Sequence, residues 1–169
     1  MSDEGQDGAI GGGVDEKAAA TQPSLAIVRQ YIKDISFENP NAPGSLDPDK
    51  GPPQIQLGVN IQARAGENSL YEVELRIEAK ANHGEDTAFV VELVYGALFQ
   101  LKDFPADTVE MICMIECPRL IFPFARRVVA DITRDGGYSP LLLDPIDFSA
   151  LYRDHKNQMA AQQMPAGHA

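Results

Sequence analysis

CPRLIFPFARRVVADITRDGGY, running from Cys117 to Tyr138, is the stretch on which the fold turns. It sets Pro118 and Pro123 around the apolar run Leu120–Phe122 and stops at Gly136-Gly137. Proline removes a backbone donor and its ring clashes with the preceding turn. The stretch therefore predicts one helix ending near Cys117 and a second, amphipathic one from about Phe124 to Asp135. Pro123 is tolerated in the first turn of the latter. Phe124, Val128, Val129 and Ile132 mark the buried stripe of the second helix. Arg126, Arg127, Asp131 and Arg134 mark its wet side.

Upstream, Asp107 and Glu110 have capping-box spacing for a helix Thr108–Glu116. Met111, Ile112, Met114 and Ile115 give that helix a broad apolar face, suited to a core or to a subunit interface. Cys113 and Cys117 stand four residues apart, on one helical face. A disulfide would need suitable geometry and zinc would need two more ligands. The pair reads best as two reduced, buried structural cysteines. Downstream, Ser139–Leu143 is apolar and extended. Asp147 caps a last helix with Phe148, Leu151, Tyr152 and Met159 on one side.

Before the helices lie strands. Gln54–Ala65 alternates cleanly, with Ile55, Leu57, Val59, Ile61 and Ala63 on one face. Leu70–Ala81 does the same, with Tyr71, Val73, Leu75, Ile77 and Ala79 facing in. The short turn Gly66-Glu67-Asn68 joins them as an antiparallel hairpin. Thr87–Leu101 follows the turn Asn82–Asp86. Phe89, Val91, Leu93, Tyr95, Ala97 and Phe99 line one side of this third strand. Its other side (Ala88, Val90, Glu92, Val94, Gly96, Leu98) is also mostly apolar, which calls for a second cover: a loop, a partner subunit or a client chain. Leu25–Glu38 is ambiguous. Leu25, Val28, Ile32 and Ile35 fit a helix; Leu25, Ile27, Tyr31, Ile35 and Phe37 fit a strand. Its β-branched and aromatic content favours a strand, and its charges suit an edge or interface. The proline-rich crossover Asn39–Pro53 is long enough to be functional. Strands first and helices later predict an α+β fold: an antiparallel sheet with helices on one face.

At 169 residues, 44% hydrophobic and 23% charged, the chain has the size and composition of one globular domain. Residues 1–22, acidic and glycine-rich, read as a disordered extension, 23–160 as the domain and 161–169 as a loose tail. No apolar run reaches the ~20 residues of a membrane span, and the N-terminus lacks the pattern of a signal peptide, so the expected location is the cytoplasm. A net charge of −11 argues against nucleic acid and suits a basic partner. No phosphate-binding loop, nucleophile elbow, paired-histidine motif or dinucleotide fingerprint occurs. The adjacent acids Glu85-Asp86 belong to a turn. Binding rather than turnover is expected, with no catalytic residue, metal or cofactor.

Five blocks in order carry a family likeness: KDISFENPNAP (Lys33–Pro43), LYEVELRIEAKA (Leu70–Ala81), GEDTAFVVE (Gly84–Glu92), CPRLIFPFARR (Cys117–Arg127) and PLLLDPIDFSALY (Pro140–Tyr152). Together they resemble the SecB family of bacterial protein-export chaperones across roughly residues 24–153. The resemblance implies a four-stranded antiparallel sheet with helices on one face, and it reads Leu25–Glu38 as a strand. It further implies a homotetramer, a dimer of dimers, with the first strand and the first long helix at subunit contacts. The implied role is an ATP-independent holdase that binds unfolded preproteins in apolar grooves and hands them to the translocase motor SecA. In the family, outer-face acids receive SecA's basic, zinc-containing terminal segment; the matching positions are Asp34, Glu38 and Glu92, with Val90 beside them. Positions matching Val91, Leu93 and Tyr95 affect client binding or assembly, with core packing as the competing account. Phe37 near the crossover is expected to help line the groove. Some relatives carry a crossover tryptophan that this chain lacks. A SecB-like chaperone dedicated to one toxin–antitoxin system is the alternative role.

Overall fold

The computed structural model describes residues 21–163; the readings made for 1–20 and 164–169 fall outside it. Four strands, β1 (Ser24–Glu38), β2 (Gln54–Ala65), β3 (Leu70–His83) and β4 (Asp86–Lys102), form one antiparallel sheet in the order β1-β4-β3-β2. Helices α1 (Ala106–Met111), α2 (Cys117–Asp135) and α3 (Phe148–Gln163) follow. The expected α+β architecture is present. α3 runs on through 161–163, which the sequence had assigned to the tail.

The ambiguity of β1 has a structural cause. Its ladder with β4 slips between Ile27 and Arg29 and again between Ile32 and Asp34. Val28 and Lys33 are thus extra residues, and each bulge shifts the alternation by one. Residues opposite one another share a face. The helix-side set is therefore Leu25, Ile27, Gln30, Ile32, Ile35 and Phe37, in steps of two and three. Such spacing lies between the periods of a strand and a helix, so neither template fits the sequence alone.

The largest difference from expectation lies in the proline stretch. One helix, not two, spans Cys117–Asp135, with Pro118 in its first turn and Pro123 in its interior. Ahead of it, Ile112–Glu116 forms a widened π turn in which the Cys117 amide donates to the Ile112 carbonyl, five residues back. This wide turn moves the preceding carbonyls away from the Pro118 ring, so the chain continues from α1 into α2 without a break. Pro123 sits on the exposed side, where water can serve the Arg119 carbonyl it leaves unpaired. The unbroken helix also resets the buried stripe to Cys117, Pro118, Ile121, Phe122, Ala125, Val128, Val129 and Thr133. Phe124, expected inside, is exposed, as is Met159 on α3. The Asp107 cap is absent: Pro105 precedes α1, and the Thr108 hydroxyl donates to the Pro105 carbonyl at 2.8 Å. Asp147 does cap α3, its Oδ1 accepting from the Ala150 amide at 3.0 Å.

The core lies between the helix layer and the two central strands. Val73, Leu75, Ile77, Ala79, Val91, Leu93, Ala97 and Phe99 meet Ile112, Ile115, Ile121, Val129 and Phe148. Cys113 and Cys117 are buried free thiols. Their mutual hydrogen bond pulls the Cys113 thiol below its ordinary range and, together with burial, pushes the Cys117 thiol far above it, so Cys117 stays neutral.

Gly136, just past α2, is a packing site. Its φ of −72° suits any residue. A β-carbon there would nonetheless fall 2.2 Å from Phe37 Cζ and 2.6 Å from Cε1. Overpacking costs about 1–3 kcal/mol, more than the ~0.4–1 kcal/mol that loss of glycine's unfolded-state freedom returns. Gly136→Ala is thus expected to lower the melting temperature, and Phe37→Leu in the same chain to restore part of the loss. Unchanged melting of the single variant would show that the ring moves aside freely.

Candidate functional site

The helix layer is narrower than the sheet. It covers β3 and β4 and only parts of the edge strands, where Leu25, Phe37, Val59 and Ile61 reach the core, so the apolar surplus sits at the margins. On the helix side of β1, Ile27, Ile32 and Ile35 are exposed; on β2, Ile55 and Leu57 are; on α2, Leu120 and Phe124 are. On the outer side of β4, Ala88, Val94 and Gly96 are buried and Val90, Glu92 and Leu98 half-buried. The Tyr31 ring lies flat over Gly96, its Cε2 2.7 Å from where a β-carbon would stand. Val94, between Asp34 and Arg76 in register, is only 4% exposed.

Beside the β2 edge, the crossover and the segment after α2 enclose a groove of about 470 Å³. Leu46, Pro48, Pro52, Pro53, Ile55 and Leu141 give it apolar walls, and Phe89 and Tyr138 also line it. Phe37 stacks on Phe89 with centroids 5.8 Å apart, and Phe89 meets Tyr138 at 4.8 Å. Tyr138, the residue after Gly136-Gly137, gives the groove its aromatic surface, backed by Phe89 of β4, which is only 2% exposed. Tyr138 also fastens the wall. Its hydroxyl donates to the Ala88 carbonyl at 2.9 Å and lies 2.8 Å from Ser45 Oγ, which donates to Asn39 Oδ1. Asn39 in turn donates to the Gly136 carbonyl at 3.2 Å. Sequence reasoning missed Phe89 and Tyr138 as groove residues: one is an ordinary inward strand position, the other joins the groove only through tertiary contacts.

Asp34, Glu38, Val90 and Glu92 share the other side of the sheet. In register, Asp34 faces Val94, Glu38 faces Val90, and Ser36 faces Glu92. Asp34 and Glu38 are exposed, Val90 and Glu92 half-buried, and none of the three acids has an ion-pair partner among the described residues. The opposite end of the same face is neutralised internally. Lys33 bridges Glu72 at 3.0 Å and also pairs with Glu74, and Arg64 holds Glu74 at 3.1 Å. The Tyr31 hydroxyl donates to Glu72 at 2.6 Å. That bond, with Lys33, holds the Glu72 carboxyl below its usual range, while burial and the same carboxylate push the tyrosine up to about 12.

Phe37, Val91, Leu93 and Tyr95 all face the helices. Phe37 is partly buried behind Phe89 and is not among the residues that line the groove; Val91 and Leu93 are fully enclosed and Tyr95 nearly so. Val91 and Leu93 reach no solvent in the subunit and Tyr95 is 6% exposed, so packing is the route by which the first two could act on clients or assembly. Among the described residues no group of three or more histidine, cysteine or acidic side chains is arranged to hold a metal. No helix among the described residues is long and apolar enough to cross a membrane.

Residues 18–159 match the family model described as preprotein translocase subunit SecB. The chain is 50% identical over 145 residues to the protein-export protein SecB of Bradyrhizobium sp., covering 86% of this chain and 90% of that protein. Against the protein of the same name from Maricaulis maris, identity is 49% over 146 residues, covering 86% and 85%. A SecB-like chaperone of Mycobacterium tuberculosis, solved with a peptide from the HigA1 antitoxin, superposes with a TM-score of 0.61 over 72% of this chain and 90% of that one. Identity there is 16%, so the likeness extends to the fold alone.

Proposed function

Because this chain belongs to the SecB family of protein-export chaperones, we propose that it acts in the cytoplasm as an ATP-independent holdase, a binding protein rather than an enzyme. Unfolded preproteins lie in the groove between the crossover and Tyr138 and along the uncovered part of β2 at Ile55 and Leu57. SecA docks on the outer face at Asp34, Glu38, Val90 and Glu92. The working unit is a homotetramer, a dimer of dimers, joined through β1 and α2.

The observation that carries this reading is the two-sided sheet: apolar residues left open on the helix side, unpaired acids on the other. Clients and motor can then bind together without competing for surface. Acids set on-rate and partner choice more than bulk affinity. Glu92→Lys reverses one of these charges without touching the groove. In calorimetric titrations it is expected to leave affinity for an unfolded preprotein within about twofold and to weaken SecA binding about tenfold or more, the range of one close interfacial charge pair. Loss of client binding with SecA binding intact would count against this division of labour. Clear preference for a single antitoxin over assorted preproteins would favour the dedicated alternative.

A further inference from the structure

Glu78 on β3 stands directly opposite Glu92 on β4, both on the outer face. Like charges facing one another across a strand pair destabilise a sheet. Close ion pairing is slight here: Glu92 has no ion pair among the described residues and Glu78 has Arg76 on its own strand at 3.9 Å, while Lys80 lines the same groove without closing a salt bridge to either. The neutralised cluster on the other end of the same strands shows that this sheet can pair its acids. Gly58, opposite Glu78 on β2, lets the carboxylate lean away from Glu92: Glu78 Oε2 comes within 3.9 Å of where a β-carbon on Gly58 would sit. The outer face here carries a groove of about 360 Å³ that runs across three strands, with Glu78 and Lys80 of β3 in its middle, Gln56 and Gly58 of β2 on one side and Val90 and Glu92 of β4 on the other.

We propose that the outer-face docking surface continues from Glu92 across β3 to the Gly58 notch, with Glu78 as a second carboxylate that reads a basic peptide segment. This rests on the proposed use of that face for docking and extends it by one strand. A lysine or arginine of the occupant inserts between the two carboxylates and lays its aliphatic stem on Val90. Lys80 in the same groove directs that cation toward the Glu78–Glu92 side and disfavours acidic or neutral occupants. The like-charge pair is thus a stability cost retained for recognition, relieved when a cation enters.

The test uses the full chain and a fluorescein-labelled, lysine-rich synthetic peptide of about 20 residues, titrated by fluorescence anisotropy at low and moderate salt, where screening differs. Glu78→Gln is expected to weaken the peptide about 3–10-fold at low salt, with a shallower salt dependence, and to melt about 1–4 °C higher because the repulsion is gone. Glu67→Gln, an equal charge change in the exposed β2–β3 turn, is expected to leave binding unchanged. Equal effects of the two variants, no effect of Glu78→Gln, or a lower melting temperature for it would overturn the proposal. Glu92→Gln separates the levels: if it weakens binding while Glu78→Gln does not, only the extension fails. If neither does, the docking face fails with it.

Discussion

A Leu120→Asp, Phe124→Asp variant, with two charges on the exposed face of α2, is expected to assemble no further than a dimer and to hold a denatured preprotein about 10²–10⁴-fold less tightly. The magnitude follows from linkage between grooves. Burying a client side chain contributes about 1.5–3 kcal/mol, while ordering its backbone costs about 1–2 kcal/mol per residue. One groove therefore holds a chain weakly and with little sequence preference. When one client wraps several subunits, each later contact is intramolecular, and affinity rises by the factor quoted with no new kind of contact. Leu120 and Phe124 are the residues to change because the continuous helix turns them outward, away from the core of their own subunit. Native mass spectrometry gives the assembly state and competition against a denatured preprotein gives the affinity. A variant of half the native mass that binds as tightly as the parent would refute wrapping. A variant of unchanged mass would remove this face of α2 from the assembly.

Leu93→Ala is expected to cost about 2–5 kcal/mol of stability, a large share of the ~5–15 kcal/mol typical of a folded protein. Leu93 is wholly enclosed, flanked in register by Ile35 and Ile77. The loss combines its transfer free energy with a cavity that the rigid sheet cannot close. Urea denaturation followed by circular dichroism reads it directly. At a temperature where the variant remains folded, affinity for a preprotein is expected to stay within about threefold, since the side chain meets no client. Unchanged stability with client binding abolished would mean that Leu93 leaves the core to make the contact. The same logic governs Val91 and Tyr95, whose alternate positions on one strand are equally compatible with a groove and with a core until the helices are in place.

Much of the architecture was legible because two-residue alternation in β2 and β3 matches a half-buried sheet and the two-sided apolar run of β4 marks a central strand. The acids Asp34, Glu38 and Glu92 could be named from the family likeness, and the register sets them on one face. β1 resisted because its two bulges mix steps of two and three. The proline stretch misled because proline's local preference was allowed to end a helix. A π turn just upstream, invisible in the sequence, removes the clash that would have ended it.

The amino-acid sequence by itself determined the sheet, the family and the acidic character, since alternation, ordered motifs and composition are local properties that survive without coordinates. Tertiary structure decided which apolar residues are spare. A helix layer that covers the central strands but only parts of β1 and β2 encloses Leu93 and leaves Ile32 and Leu57 exposed, while the phase of the unbroken α2 turns Phe124 outward. It also decided that Glu78 meets Glu92 while Glu72 and Glu74 meet Lys33 and Arg64. Both outcomes depend on which strand lies beside which and in what register, and charge and hydrophobicity act through those distances.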